Sequence, residues 1–206
     1  MPNLQQVRAY FDERIQTHGA SPRGADWNSA GAQEARFEQL LGLVRQAGPF
    51  SLLDYGSGYG ALADYLEQRG YDADYTGYDL LESAVAAARQ HHRGKPKRRF
   101  CSEEAELVGV DYVIASGIFN FRGAESFESW TDHVLATLSK MNQLGARGFA
   151  SNFLTKYSDA DRMRADLYYA DPCFLFDYCK RHFAKDVALL HDYSLYDFTL
   201  IVRKNP

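Results

Sequence analysis

Cysteine is scarce in this sequence of 206 residues. Its three cysteines, Cys101, Cys173 and Cys179, are odd in number and contain no Cys-x-x-Cys spacing. The pattern therefore indicates neither a disulfide framework nor a zinc site. Cys173 and Cys179 could still bind a metal together with a nearby histidine, but the usual ligand spacing is missing. We predict reduced, structural thiols and no metal.

Long apolar runs are also missing. No uninterrupted apolar segment approaches the ~20 residues that span a bilayer, and the polar residues 1–6 lack the apolar core of a signal peptide. These absences predict a cytoplasmic protein without a membrane partner. The length suits one sizeable core, either as a monomer or as a homodimer.

Positive charge is not in excess, since 23 lysines and arginines face 27 acidic residues and the formal net charge is -4. Nucleic-acid binders gain affinity by neutralising phosphates, so this balance predicts no nucleic-acid partner and favours a small-molecule substrate. One basic run, at residues 93–99, stands out. It contains Gly94 and Pro96, which are typical of an exposed loop with solvated charge.

The most informative segment that is present lies at residues 51–61. It joins a short apolar run to three alternating glycines, Gly56, Gly58 and Gly60, and then to a helix-forming stretch. Glycine tolerates positive φ and lets a ligand approach the main chain, while the start of the next helix offers free N–H donors. The segment predicts a strand-to-helix turn that binds a nucleotide-like ligand.

A second landmark is a predicted strand that ends at Asp79, about 20 residues after the glycines. An ionised carboxylate accepts hydrogen bonds and donates none. It therefore matches the paired hydroxyls of a ribose and repels a 2′-phosphate. The ligand is expected to carry an unphosphorylated ribose.

Dinucleotides and S-adenosylmethionine both meet this description, because Gly56-x-Gly58-x-x-Ala61 also fits a relaxed dinucleotide pattern. Asp54 favours S-adenosylmethionine. A carboxylate two residues before the first glycine would repel a pyrophosphate, whereas a methionine moiety brings an ammonium and a sulfonium. An NAD-dependent oxidoreductase remains the alternative.

With Asp54, the glycine loop and Asp79, the region from residue 50 to 206 resembles the class I S-adenosylmethionine-dependent methyltransferases. The resemblance implies main-chain contacts to the methionine at the glycine loop, a ribose on Asp79 and an adenine near residues 101–104. Trp27 is added as an aromatic lid over the cation, and Arg36 as a partner for the methionine carboxylate or a solvated side chain. The predicted cofactor site comprises Asp54, Gly56, Ser57, Gly58, Asp79, Leu80, Glu103, Ser116, Trp27 and Arg36.

Short apolar runs alternate with helix-period segments from residue 51 onward, which predicts a doubly wound, Rossmann-like α/β fold. The connection at 193–196 is too short for a helical crossover, so the sheet should be mostly parallel and seven-stranded with an antiparallel C-terminal strand. We predict strands at 51–55, 73–79, 98–101, 111–115, 147–153, 186–192 and 197–203. Helices are predicted at 61–69, 81–92, 126–144 and 172–183.

Two further helices, at 3–17 and 30–47, are predicted before the sheet, with a turn-rich loop at 18–29 between them. We predict one compact domain overall, made of a helical cap or lid at 1–48 and a cofactor-binding core at 49–206. Tyr10 and Phe11 of the first helix could face the cation together with Trp27. A packing role is the alternative for each aromatic side chain.

Methyl transfer needs alignment of acceptor, methyl and sulfur and no nucleophilic side chain. The segment 115–121 lacks the Pro-Pro pattern of enzymes that methylate base amino groups, and its Asn120 is an acceptor-orienting candidate. His191, at a strand end, is the candidate base, with His133 weighted less. Tyr168 and Tyr169 are candidates for the acceptor pocket. A structural role is the alternative for each of these residues.

These patterns predict an enzyme that moves a methyl group from S-adenosylmethionine to an oxygen or nitrogen of a small metabolite. Three alternatives stay open: an NAD-dependent oxidoreductase, a methyltransferase acting on RNA or protein, and a cofactor-binding protein without catalysis. The superfamily motifs specify a cofactor and leave the acceptor undetermined.

Overall fold

A seven-stranded sheet forms the centre of the computed structural model, which describes residues 2–27 and 29–204. The spatial order is β3-β2-β1-β4-β5-β7-β6. Neighbouring strands from β3 to β5 pair in parallel, whereas β7 pairs antiparallel with β5 and β6. The strands are β1 (Phe50–Tyr55), β2 (Ala73–Tyr78), β3 (Arg98–Cys101), β4 (Val110–Ala115), β5 (Gly145–Leu154), β6 (Asp186–Leu190) and β7 (Asp197–Arg203).

Six α-helices accompany the described strands: α1 (Gln5–His18), α2 (Ala30–Leu41), α3 (Ala61–Gln68), α4 (Glu82–His91), α5 (Phe127–Leu144) and α6 (Pro172–His182). Polar caps fix several of their starts. The hydroxyls of Ser29 and Ser126 accept hydrogen bonds from main-chain N–H groups at the starts of α2 and α5, and Asp171 does the same for α6. The predicted doubly wound architecture with an antiparallel C-terminal strand is confirmed.

Most predicted boundaries lie within a few residues of the observed ones, and the end of α2 is the main correction. We predicted a helix to residue 47, but α2 ends at Leu41 and Gly42 follows as its C-cap. Leu43 remains buried after the helix has ended, with its side chain beside Gly148. The apolar residues therefore continue at helical spacing beyond the helix, because Leu43 in the irregular segment after α2 is also buried. This spacing led to the prediction of a longer helix. The β6 ladder likewise stops at Leu190, two residues early.

The core lies on both faces of the sheet. On one face, Trp130, Val134, Leu138 and Met141 of α5 are fully buried at helical spacing. Each such side chain contributes about 1.5–3 kcal/mol of hydrophobic stabilisation. On the other face, α2 packs against the sheet in the same hydrophobic cluster as strand β1. The N-terminal segment therefore shares its core with the sheet.

The loop between α1 and α2 includes Asn28, which lies outside the described residues, as do Met1, Asn205 and Pro206. The part of the chain that the structure describes contains no helix with the length and apolar character of a membrane span.

Candidate cofactor and methyl-transfer site

The glycine loop follows β1 and turns tightly under the end of β2. The N–H groups of Gly56 and Ser57 donate to the Tyr78 carbonyl at 2.7 and 2.9 Å. Gly56 has a φ of +87°, and a Cβ at this position would lie 2.2 Å from Cγ2 of Ile118. Both the conformation and the close approach require glycine here.

Asp79 follows β2 and links two parts of this loop. Its Oδ2 accepts from the Gly58 N–H at 2.8 Å and its Oδ1 accepts from the Leu81 N–H at 3.0 Å. Burial raises the pKa of Asp79, and the two N–H donors oppose that rise. Asp79 also lines a cavity at this edge of the sheet, a position that suits a ribose partner.

Asp54, near the end of β1, is 3% exposed and accepts a hydrogen bond from the Tyr75 hydroxyl at 2.6 Å. Burial raises its pKa to about 7 and the charge of Asp79 adds to the rise, whereas the Tyr75 hydrogen bond lowers it. Its carboxyl group is therefore poised to ionise near neutral pH. A cation in the cavity would favour the charged form.

A cavity of about 510 Å³ opens over the carboxyl ends of β1, β2 and β4. This volume lies in the ordinary range for small-ligand sites. The hydroxyl oxygens of Ser57 and Ser116 are buried in its lining and have no hydrogen-bond partner among the described residues. Such orphaned polar atoms fit a site that a polar nucleoside completes. The predicted residues that line it are Asp54, Gly56, Ser57, Gly58, Asp79, Leu80, Ser116, Trp27 and Asn120.

Arg36 does not reach this cavity, so its assignment as a direct cofactor ligand is corrected. Its guanidinium forms a buried ion pair with Asp197 and lies 4.4 Å from the Trp27 ring centroid. Both partners are buried, so the charge of Arg36 is already paired within the protein. Trp27 itself lines the cavity, where a Cβ on Gly117 would meet its ring at 2.5 Å.

Glu103 and His191 also lie outside the lining. Glu103 is exposed and precedes a 3₁₀ turn, and the adjacent Glu104 faces the cavity because it accepts a hydrogen bond from Tyr55. His191 follows β6, the strand at the far edge of the sheet, and is exposed beside Tyr157. Because β6 lies two strands beyond β5, His191 is separated from the cavity over β1, β2 and β4.

The two tyrosines are placed elsewhere as well. Tyr168 is buried in the core against Phe127, with its hydroxyl 3.0 Å from that of Thr131. The Tyr169 hydroxyl accepts from the Arg164 main chain at 3.0 Å. Both hydroxyls therefore have partners within the protein, and neither side chain lines the cavity. Tyr10 stacks on Phe121 at 4.1 Å, and Phe11 lines the cavity.

Sequence reasoning underweighted His133 and missed Arg8. His133 lines the cavity from α5, 4.9 Å from the Trp130 ring, and burial lowers its pKa. The spacing of Trp130, His133 and Thr137 along one helix face was the available signal. Arg8 of α1 donates to the Leu80 carbonyl at 3.0 Å and holds α1 over the site.

A cluster of potential metal ligands lies outside the cavity. Ligand atoms of Asp64, His91 and His92 lie within 4.8 Å of one another. However, the Arg98 guanidinium donates to both Asp64, at 2.7 Å, and the Nδ1 of His92. A cation already balances the carboxylate, so we interpret the cluster as an ion-pair network.

Comparison with known proteins agrees with this geometry. Residues 53–128, which include both acids and the glycine loop, match a family described as "Methyltransferase domain". The chain is 51% identical over 162 residues to "Putative methyltransferase Rv1506c" of Mycobacterium tuberculosis, which covers 79% of this chain and 98% of that protein. The chain belongs to the class I S-adenosylmethionine-dependent methyltransferases, and S-adenosylmethionine is its cofactor. The family decides against the dinucleotide alternative.

Solved structures share the fold. Magnesium protoporphyrin IX methyltransferase from Synechocystis PCC 6803 superposes with a TM-score of 0.67 at 17% identity and covers 98% of this chain and 100% of its own. The N-methyltransferase NodS of Bradyrhizobium japonicum WM9 also gives 0.67, at 12% identity, over 97% and 99% of the two chains. Human N-acetylserotonin methyltransferase gives 0.65 at 16% identity, over 99% and 60%.

Proposed function

We propose that this methyltransferase acts on an oxygen or nitrogen of a small-molecule metabolite. The proposal rests on one observation: Asp54, Asp79 and the glycine loop line the same cavity as Asn120 and His133. S-adenosylmethionine supplies a methyl group on a positively charged sulfur. The protein's task is to hold that group and the acceptor in line, away from water.

On the cofactor side, the Asp79 carboxylate is proposed to accept the ribose hydroxyls while it fixes the Gly58 main chain. Asp54 is proposed to lie beside the cationic methionine moiety. The hydroxyls of Ser57 and Ser116 offer two further polar contacts, since both are buried in the lining without a partner among the described residues.

On the acceptor side, Asn120 is proposed to orient the substrate. Its Oδ1 accepts from the Leu154 N–H at 3.3 Å, which holds the side chain at the cavity. His133 replaces His191 as the proposed base, because burial keeps its imidazole neutral and able to take a proton. A hydroxyl or protonated amine acceptor must lose a proton on methylation, and a neutral imidazole at the cavity suits that step.

A small acceptor is favoured over RNA because the basic run is already paired with acids of the same surface. The cations of this run at 95–99 form ion pairs with acidic residues between positions 64 and 74: Lys95 with Glu67, Lys97 with Asp72, Arg98 with Asp64 and Glu67, and Arg99 with Asp74. These pairs leave little free positive charge for phosphates. Two of the structural neighbours are also named for small acceptors, magnesium protoporphyrin IX and N-acetylserotonin.

The test is methyl transfer from S-adenosylmethionine with a deuterated methyl group to a fractionated cell extract. Mass spectrometry of the small-molecule, RNA and protein fractions locates the label, and fragmentation of the labelled product shows which atom carries it. The proposal expects labelled oxygen or nitrogen in the small-molecule fraction. Label in RNA or protein, or on carbon, would overturn it, as would cofactor binding without any transfer.

A further inference from the structure

Five residues, one from each of five segments of the chain, form a closed ring of contacts beside the cavity. The ring runs from the loop between α1 and α2 to α2, then to β7 and β5, and back through the loop after β4. We call it the lid ring, and its members are Trp27, Arg36, Asp197, Asn152 and Gly117.

The inner half of the lid ring is a chain of buried hydrogen bonds. Asp197 and Asn152 are both 0% exposed, and the Asn152 amide donates to Oδ1 of Asp197 at 3.0 Å. Arg36 donates to the other carboxylate oxygen of Asp197. The side-chain oxygen of Asn152 accepts from the Gly117 N–H at 3.0 Å. This chain therefore fixes a main-chain group that lies next to Ser116.

The outer half consists of contacts with one indole ring. The Arg36 guanidinium lies 4.4 Å from the Trp27 ring centroid, and the indole edge packs against the bare α-carbon of Gly117. Trp27 and Gly117 both line the cavity, whereas Arg36, Asp197 and Asn152 do not. The three buried residues thus act on the cavity only through the other two.

Stability alone is a weak reason for such an arrangement. A buried ion pair loses hydration, and replacing it by apolar residues of similar volume is often neutral or stabilising. The hydrogen bonds and the planar guanidinium instead impose a defined geometry, because each group has few acceptable partners in the interior. We infer that Arg36, Asp197 and Asn152 are positioning residues that set Trp27 and the Gly117 main chain for cofactor binding.

The experiment combines calorimetry with S-adenosylhomocysteine and fluorine NMR of protein labelled with 5-fluorotryptophan. The protein has two tryptophans, and Trp130 is fully buried with its indole N–H donating to the Phe119 carbonyl, so its signal in the cofactor-free variants is the internal reference. A Trp27→Phe variant assigns the two resonances. Asp197→Asn is expected to weaken binding about tenfold or more and to shift the Trp27 resonance while that of Trp130 stays. Arg36→Lys keeps the charge and loses the planar stack, so its affinity for S-adenosylhomocysteine is expected to lie between those of the parent and Asp197→Asn.

Because Asp197→Asn leaves a buried charge unpaired and could unfold the chain, the double variant Arg36→Met/Asp197→Leu decides the matter. It removes both charges and should fold. Weakened binding with a moved Trp27 signal at an unchanged unfolding midpoint supports the inference. Wild-type affinity with an unmoved signal, or an affinity loss that only follows the unfolded fraction, overturns it. Asp74→Asn, which breaks an exposed pair with Arg99, is the matched control and should change neither readout.

Discussion

The carboxylate of Asp79 accepts a hydrogen bond of 2.8 Å from the main-chain N–H of Gly58. This contact joins the end of β2 to the loop after β1, so the proposed ribose partner also shapes the loop that surrounds the methionine. Cofactor affinity should then depend on Asp79 in two ways, through direct contact and through loop order.

Substitution of Asp79 separates these two roles. Asp79→Ala removes both and is expected to weaken S-adenosylhomocysteine binding by about 2 kcal/mol, or roughly 30-fold. Asp79→Asn retains an acceptor for Gly58 and should lose less. Calorimetry measures both, with Asp74→Ala, an exposed carboxylate on the same strand, as the control. If Asp79→Ala and Asp79→Asn lost the same binding free energy, the side-chain oxygen that Asn retains would not be holding the Gly58 main chain.

Asp54 should make cofactor affinity depend on pH. Its pKa of about 7 lies above the ordinary 3.8, so the cofactor-free fold holds a proton that the unfolded chain has lost. Its contribution to the free energy of unfolding therefore declines as pH rises from about 4 to 7. A cation stabilises the ionised form, so S-adenosylmethionine should bind more tightly as pH rises through 7.

Calorimetry of S-adenosylmethionine binding at pH 6.5, in buffers of different ionisation enthalpy, should detect the proton that leaves Asp54. The Asp54→Asn variant should release none and should bind with a flatter pH profile. Binding that is independent of pH in the parent protein would exclude this role for Asp54.

Alanine substitutions at Gly60 and Gly70 form a matched pair that measures the free-energy cost of a side chain in the glycine loop. Their φ angles are similar, +86° and +75°, but a Cβ on Gly60 would lie 2.5 Å from Nε2 of His92, whereas one on Gly70 would meet nothing within 4 Å. Since His92 stacks on Phe100 at 5.0 Å, it has little room to yield.

The Gly70→Ala variant should therefore cost only about 1–2 kcal/mol of unfolding free energy, the strain of left-handed backbone. Gly60→Ala should cost more and should also weaken cofactor binding. Urea unfolding and calorimetry measure the two effects. Equal costs would mean that His92 moves aside freely.

His133 and His191 test the proposed base once an acceptor is known. His133→Gln should lower kcat by about 10²–10⁴-fold, while His191→Gln should leave it near the parent value. Because burial lowers the pKa of His133 below 6.5, kcat/KM of the parent should fall only on the acid side of that value. A large loss in His191→Gln with little change in His133→Gln would reverse the assignment.

The cofactor side of the site could be predicted from the sequence because its signals are local. Asp54 lies near the end of β1, Gly56 follows that strand directly and Asp79 follows the neighbouring strand β2, so parallel pairing brings them together. The partner of Arg36 could not be predicted in this way, since Asp197 is 161 residues away and only the strand order makes them neighbours.

The acceptor side was harder to predict for the same reason. His191 directly follows a strand, as Asp79 does, but its strand lies at the sheet edge. Tyr168 resembled a pocket residue because tyrosine suits both core and site, and only the Thr131 contact distinguishes the two. His133 was weighted less because a polar residue in an amphipathic helix usually faces solvent.

Strand β7 lies between β5 and β6 in the sheet although it follows both in the sequence. During synthesis, the centre of the sheet can form before β7 has left the ribosome, but Arg36 and Asn152 then have no carboxylate between them. A nascent chain that stops short of Asp197 would carry the glycine loop without the carboxylate that pairs with Arg36 beside Trp27. If the inference about the lid ring is right, competence to retain the nucleoside should appear only once β7 has joined the sheet.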